Sequence, residues 1–248
     1  MYWCTAEEAV QNDSSMTKLF RTKVCGIKTT DDLCDAIKVG VDAIGLNFVP
    51  ESPRFIAPKL AAELSAAAAN NDLAHKEGVG QIALIGIFVN PTPDFVRQIL
   101  RIVPLQFVQL HGEEQADEWR NFDDAPLIKA IRWSGESHQA GYLTRWHQLL
   151  GSRLAAFLVD APSTDVRGGS GLKADWNSLV PRPSVIAGKP LILAGGLTPD
   201  NVAQAIATVQ PVAVDTASGV ESAPGKKDAV KMQRYVQNAH EAWHRLER

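Results

Sequence analysis

The sequence predicts a single (β/α)8 barrel. Eight short apolar, β-rich runs recur along the chain, and a helical pattern follows each of them. The length agrees, because 248 residues match one bare barrel. The competing fold, an open doubly wound sheet, usually carries G-x-G-x-x-G after a strand, with an acidic residue about 20 positions on. That pattern is missing from the sequence.

The predicted strands are Lys23–Ile27, Ala43–Phe48, Ile82–Val89, Phe107–His111, Leu127–Trp133, Ala155–Asp160, Leu191–Ala194 and Val212–Asp215. Most are continuous apolar runs rather than alternating ones, with Ile82–Val89 the best example. Strands buried on both faces, as in a parallel sheet, read this way.

The first helix spans Thr29–Val39 and sets Leu33, Ala36 and Ile37 on one face. Pro58 opens an Ala/Leu-rich helix that runs to about Ala69. Pro93 opens the third, with Phe95, Val96, Ile99, Leu100 and Val103 at helical spacing. Glu113–Phe122, Ser137–Leu150 and a short Lys173–Leu179 are the next three. In the seventh, Thr198 is the N-cap, Pro199 the first helical residue, and Val202, Ala205, Ile206 and Val209 face inward. The last starts near Asp228 and aligns Met232, Tyr235, Val236, Ala239, Trp243 and Leu246. Asn70–Gln81 reads as a loop, and the Gly/Ser-rich Pro162–Lys173 as a mobile loop over the barrel mouth.

Met1–Thr22 reads as a short N-terminal extension before a barrel spanning residues 23–248. It carries Glu7, Glu8 and Asp13 and no apolar core, which argues against a secretory signal. Hydrophobic residues are 45 %, charged residues 21 % and the formal net charge is -3, with no long basic block. Neither a nucleic-acid nor a membrane partner is expected. No apolar run approaches the roughly 20 residues of a membrane helix. Cys4, Cys25 and Cys34 form neither a disulfide framework nor a C-x-x-C pair. They suit a reducing cytoplasm, and no zinc site is expected.

Barrel chemistry sits where strands end. Gly195-Gly196 after strand seven and Ser218-Gly219 after strand eight occupy the two loops that commonly hold phosphate, so the substrate is read as a phosphorylated small molecule. Cys25 and Asp160 end strands one and six, three apart around the ring, and face each other as an acid–base pair. Cys25 also reads as a small buried core thiol. Asp160 closes the apolar run Ala155–Val159, which marks a site residue. Arg54 is either a carboxylate clamp or a solvated loop charge. His111 is a base or an orienting group at the mouth. Asp215 contacts a substrate hydroxyl or caps its loop.

These strand ends resemble the phosphoribosylanthranilate isomerase family over about residues 22–246. The matching segments are Lys23–Ile27, Ser52-Pro53-Arg54, Gln109–Gly112, Asp160 with Gly168–Gly171, Asp175-Trp176, Leu193–Leu197, and Asp215 with Ser218–Glu221. The resemblance implies an Amadori rearrangement of N-(5′-phosphoribosyl)anthranilate to 1-(2-carboxyphenylamino)-1-deoxyribulose 5-phosphate. It implies that Cys25 takes the C2′ proton and Asp160 protonates the departing ring oxygen. Arg54 would hold the anthranilate carboxylate, and Asp215 would lie near the central atoms. Backbone groups of Gly195, Gly196, Ser218 and Gly219 would hold the phosphate. No metal or organic cofactor is implied, and the chain is expected to be a monomer or homodimer. The related isomerase of histidine biosynthesis uses two aspartates, and Cys25 argues against it. An aldolase-type barrel needs a lysine at a strand end, whereas Lys129 lies within strand five. A non-catalytic binding protein would be expected to lack one of Cys25, Arg54 and Asp160. The chain departs from the family in the Asn70–Gln81 connection, in Ala161–Arg167 and at Ser170.

Overall fold

A computed structural model describes residues 19–70, 81–160 and 176–248. The expectations for most of the extension, for Cys4, for most of Asn70–Gln81 and for the loop after Asp160, with Gly168–Gly171 and Asp175, lie outside the described residues.

Eight parallel strands close a barrel in sequence order. They are β1 (Thr22–Cys25), β2 (Ala43–Asn47), β3 (Ala83–Phe88), β4 (Phe107–Leu110), β5 (Leu127–Arg132), β6 (Leu154–Asp160), β7 (Leu191–Ala194) and β8 (Ala213–Thr216). β1 pairs with both β2 and β8, which completes the ring. Thr22, expected in the extension, opens β1, and Phe20 fills the barrel floor against Phe107, with ring centroids 6.1 Å apart.

The strand period of two sorts the side chains into two cores. Val24, Leu46, Val108, Phe157, Val159 and Leu193 point outward and pack under the helices. Ala43, Ile85, Phe107, Ile128, Ala156, Leu158, Ile192 and Ala213 fill the barrel interior. Continuing the inward series up each strand leads from these residues to Cys25, His111, Asp160 and Asp215. The pleat that fills the floor with apolar groups thus brings the chemistry to the mouth.

The outer ring contains α1 (Thr30–Lys38), α2 (Pro58–Ala69), α3 (Pro93–Leu100), α4 (Ala116–Trp119), α5 (Glu136–Leu150), α6 (Ser184–Ala187), α7 (Val202–Val209) and α8 (Ala229–Leu246). Side-chain caps start several of them. Thr29 accepts from Asp32 N–H, Thr92 from Phe95 N–H and Asp228 from Lys231 N–H.

Four expectations change. α4 is one turn, not Glu113–Phe122, because Glu114 turns inward and accepts from the Asn90 and Gly112 N–H groups. The described part of the sixth helix is a 3-10 turn, Trp176–Leu179, and α6 follows it unforeseen. Regular α7 starts at Val202, although Thr198 does cap the preceding turn: its Oγ1 accepts from Asp200 N–H, and its own N–H donates to Asn201 Oδ1 at 2.8 Å. Leu246 is 43 % exposed and Phe95 40 % exposed, so neither belongs to the buried core. Among the described residues, no helix is long and apolar enough to cross a membrane.

Candidate active site

A cavity of about 390 Å³ opens at the C-terminal ends of the strands. Cys25, Arg54, His111, Asp160, Gly195, Gly196, Asp215 and Ser218 all line it. So do Asn47, Ser52, Val89 and Thr216, none of which is expected from the sequence to have a role. Gly219, the neighbour of Ser218, is half-buried and is the one expected site residue not among those lining the cavity. A Cβ there would lie 1.9 Å from the Leu197 carbonyl oxygen, so only glycine lets the loops after β7 and β8 approach this closely.

Cys25 is buried, and its sulfur rests on the flat face of Gly45, where a Cβ would come within 3.0 Å of Sγ. Just past it Gly26, at φ 84°, ends β1 two residues earlier than the apolar run suggests. The Gly26 and Ile27 N–H groups both donate to the Gly45 carbonyl, at 2.8 and 3.1 Å. Burial pushes the Cys25 thiol up from its ordinary value; Lys23 opposes the shift, Asp215 adds to it, and Lys227 and Arg54 oppose it.

Beneath Cys25 the closing ladder sets Lys23 beside Asp215, and their side chains meet at 2.9 Å. Burial alone would lower the Lys23 ammonium, but Asp215 and Cys25 outweigh it and hold its pKa above the usual lysine value. Burial raises the Asp215 carboxyl against the pull of Lys23.

Asp160 ends β6 level with Arg132 of β5 and Ala194 of β7. Burial raises its carboxyl above the ordinary aspartate value; Arg132 opposes this and Asp215 reinforces it. His111 keeps one face open to the cavity, yet desolvation by its surroundings, with Lys23 and Lys129, lowers its pKa to about 4. It is therefore neutral at pH 7. Gln109 Nε2 lies 2.8 Å from its Nδ1, and with that amide donating, the ring proton sits on Nε2.

Arg54 is tied on two sides. Its Nε donates to Glu221 Oε1 at 2.7 Å and its Nη2 to Oε2 at 2.8 Å. Its stem lies on Gly26, where a Cβ would come within 2.5 Å of Cδ. Glu221 opens a small hairpin, β9 (Glu221–Ala223) and β10 (Lys226–Lys227), and also accepts from Lys227 Nζ at 2.8 Å. Burial alone would raise the Glu221 carboxyl, but Arg54 and Lys227 outweigh it and hold its pKa below the ordinary value. Lys23, Gln109, Glu221 and Lys227 were not foreseen as supporting groups. Lys23, Gln109 and Glu221 sit in the quoted motifs, so their presence was visible, but their partners are distant in sequence.

Opposite Arg54, Gly195 and Gly196 have φ values of 86° and 62°. Asn201 Nδ2 donates to the Gly196 carbonyl at 2.9 Å, and Thr216 Oγ1 to the Leu197 carbonyl at 2.6 Å. The first bond braces the loop after β7 internally, and the second fastens that loop to the end of β8. Lys129 points away from the mouth. Its Nζ is buried against Glu114 at 2.7 Å and the Gly112 carbonyl at 2.7 Å, which removes it as a Schiff-base lysine. Among the described residues, no group of three or more His, Cys, Asp or Glu side chains is placed to hold a metal.

Residues 22–238 match the family model described as N-(5′-phosphoribosyl)anthranilate isomerase. A protein of that name from Trichlorobacter lovleyi is 39 % identical over 224 residues, covering 90 % of this chain and 100 % of the relative. The crystal structure of phosphoribosyl anthranilate isomerase from Thermotoga maritima superposes with a TM-score of 0.75 at 33 % identity, covering 90 % of this chain and 100 % of that one. A complex of such an isomerase with reduced 1-(o-carboxyphenylamino)-1-deoxyribulose 5-phosphate gives a TM-score of 0.72 at 32 % identity, with the same coverage. With the match running through nearly every strand and helix of the barrel, the chain belongs to the N-(5′-phosphoribosyl)anthranilate isomerase family.

Proposed function

We propose that this chain isomerises N-(5′-phosphoribosyl)anthranilate by an Amadori rearrangement, with Asp160 as general acid and Cys25 as general base. One observation carries the assignment of roles. The two groups end inward-facing series on β1 and β6, three strands apart, and line one cavity.

Asp160, held protonated more readily by burial, gives its proton to the furanose oxygen as the C1′–O bond breaks. The anthranilate nitrogen supplies the electron pair, which leaves a Schiff-base cation. That cation acidifies C2′, and the Cys25 thiolate removes the proton. The resulting enolamine tautomerises to the aminoketose. Asp215 lies next to Cys25 at the level of the central atoms. Arg54 takes the anthranilate carboxylate through the guanidinium edge that Glu221 leaves free. The Gly195, Gly196 and Ser218 backbone takes the phosphate at the far side, and Gly219 serves that site by its missing side chain.

The test follows the loss of substrate fluorescence with the wild type, Cys25→Ser and Asp160→Asn. Acid–base groups contribute roughly 10²–10⁴-fold each, so both variants are expected to fall by at least the lower figure. Full turnover by either folded variant removes that residue from its role. An inert wild type removes the substrate.

A further inference from the structure

Lys23 is fully buried beneath the barrel mouth, with a side-chain exposure of 0 %. Its register partner on β2 is Ala43, and the apolar cluster of the barrel interior is built of small or apolar groups such as Ala130, Leu158, Ile192 and Ala213. Stability does not require an ion pair here, because well-packed apolar residues in place of a buried pair are commonly neutral or stabilising. The placement calls for another explanation.

Strand parity supplies one. Lys23 and Cys25 are two residues apart on β1, so both face inward, and the buried Lys23 ammonium, paired with Asp215, acts on the charge of Cys25. The 2.9 Å contact with Asp215 is short but off the hydrogen-bond axis, so it does not use up the ammonium's three donors. On its other side the sulfur meets the bare face of Gly45, which would hold a Cβ only 3.0 Å from Sγ. The thiol therefore shares the inward face of β1 with a buried ammonium and rests on a wall without a side chain.

We propose that Lys23 is the positioning residue for Cys25: anchored by Asp215, its ammonium fixes the sulfur and favours the thiolate that must exist before a proton is taken. The proposal rests on the reading of Cys25 as the base. Burial drives the thiol the wrong way for that task, and Lys23 is the largest influence acting against burial. The other charged groups around the sulfur are Asp215 on β8, which disfavours the thiolate, and Lys227 and Arg54, which favour it more weakly. Asp160 and the neutral His111 share the cavity from across the mouth. A cation beside a thiol is a general means of raising its thiolate fraction.

The test reads the thiol directly. Iodoacetamide is reacted with the wild type, Lys23→Met and Lys23→Arg over a range of pH, and modification is quantified on the Cys25 peptide. An opposite charge this close shifts a pKa by roughly 1–3 units, so at a fixed pH below the midpoint Lys23→Met is expected to react about tenfold more slowly or worse. Its midpoint moves to higher pH, and Lys23→Arg recovers most of the loss. A purely structural role would change reactivity at every pH without moving the midpoint. If Lys23→Met does not fold, Lys23→Gln, which keeps a hydrogen-bonding group for Asp215 without the charge, takes its place. Superimposable pH curves for a folded neutral variant and the wild type overturn the proposal. Cys25→Ser keeps the two readings apart. Retained turnover in that variant removes Cys25 as the base, while the alkylation curves judge Lys23 on their own.

Discussion

Gly45→Ala adds a single methyl group at the point where the thiol rests. The new Cβ would lie 3.0 Å from both Cα and Sγ of Cys25 and 2.7 Å from Ile87 Cδ1. Ile87 can swing its terminal methyl aside, but Cys25 cannot retreat as easily. Its strand is locked to β2 in register with Gly45, and two N–H groups donate to the Gly45 carbonyl just beyond it. Relief to an ordinary contact of about 3.5 Å therefore moves the sulfur by roughly half an ångström, or twists its rotamer. Overpacking of this kind costs about 1–3 kcal/mol, or some 2–12 °C in Tm for a chain of this size. Misplacing a reacting group by up to 1 Å costs as much as 10²-fold, so kcat is expected to fall by about ten- to a hundredfold. KM should hardly move, because Arg54 and the glycine loops are untouched. Steady-state kinetics with a melting curve checks both halves. A variant with wild-type kcat and a clearly lowered Tm would refute the reasoning, because the methyl would then have been absorbed without touching the thiol.

Glu221→Gln removes the charge and one of the two acceptor oxygens that hold Arg54. KM for the anthranilate substrate is expected to rise roughly tenfold, the worth of one charge-assisted hydrogen bond, with kcat less affected. The phosphoribosyl derivative of aniline, lacking the carboxylate, should show no such rise, and an equal rise for both substrates would remove Glu221 from carboxylate binding. Lys129→Met strands the buried Glu114 and is expected to cost about 3–5 kcal/mol, whereas replacing both with apolar residues should recover much of that in a chemical melt. Asp160→Asn should raise Tm at pH 7 and do so less at pH 4. A carboxyl whose folded pKa is raised favours the fold while protonated, and that contribution is lost as pH rises through its folded value. A Tm difference that does not depend on pH would show that Asp160 carries no such strain.

Much of the site is legible in the sequence because the barrel maps strand ends onto one mouth. Cys25, His111, Asp160 and Asp215 each end an apolar run, and strand parity alone turns them inward. The helices are legible where a cap and a long apolar stripe coincide, as in α1 and α8. α4 fails because Glu114, read as a helical residue, is drawn into the core by Lys129, a contact across the strand-four loop that no local pattern records. α6 fails because four residues cannot display a period. The partners of the site residues were hidden for a different reason. Arg54 and Glu221 stand 167 residues apart and meet only when the loop after β2 reaches the hairpin after β8. Lys23 and Asp215 become neighbours only when β8 closes onto β1. Motif reading finds which groups are present. Ring closure decides which of them touch.

The directions of the two shifts impose a particular pH dependence on the proposed mechanism. The reaction needs Asp160 protonated and Cys25 ionised at the same moment. Burial raises both groups, and the thiol rises from a higher starting point, 9.0 against 3.8. Over the working range the abundant form is therefore the ionised acid with the protonated thiol, and the reactive form is its minor proton isomer. Both forms carry the same number of protons, so their ratio does not change with pH between the two limbs. kcat/KM should then be bell-shaped. Its acid limb lies above the ordinary aspartate value and its alkaline limb above the ordinary thiol value of 9.0. The limbs belong to the groups in reverse of their usual roles: the acid limb is the titration of the general acid, and the alkaline limb that of the general base. In Asp160→Asn the residual activity depends on the thiolate alone, so it should keep rising with pH through the range where the wild type is flat and level off only above the thiol's value, with no alkaline fall. A residual profile that still levels off at the wild-type acid limb and falls on the alkaline side would assign the acid limb to another group and return Asp160 to a binding role.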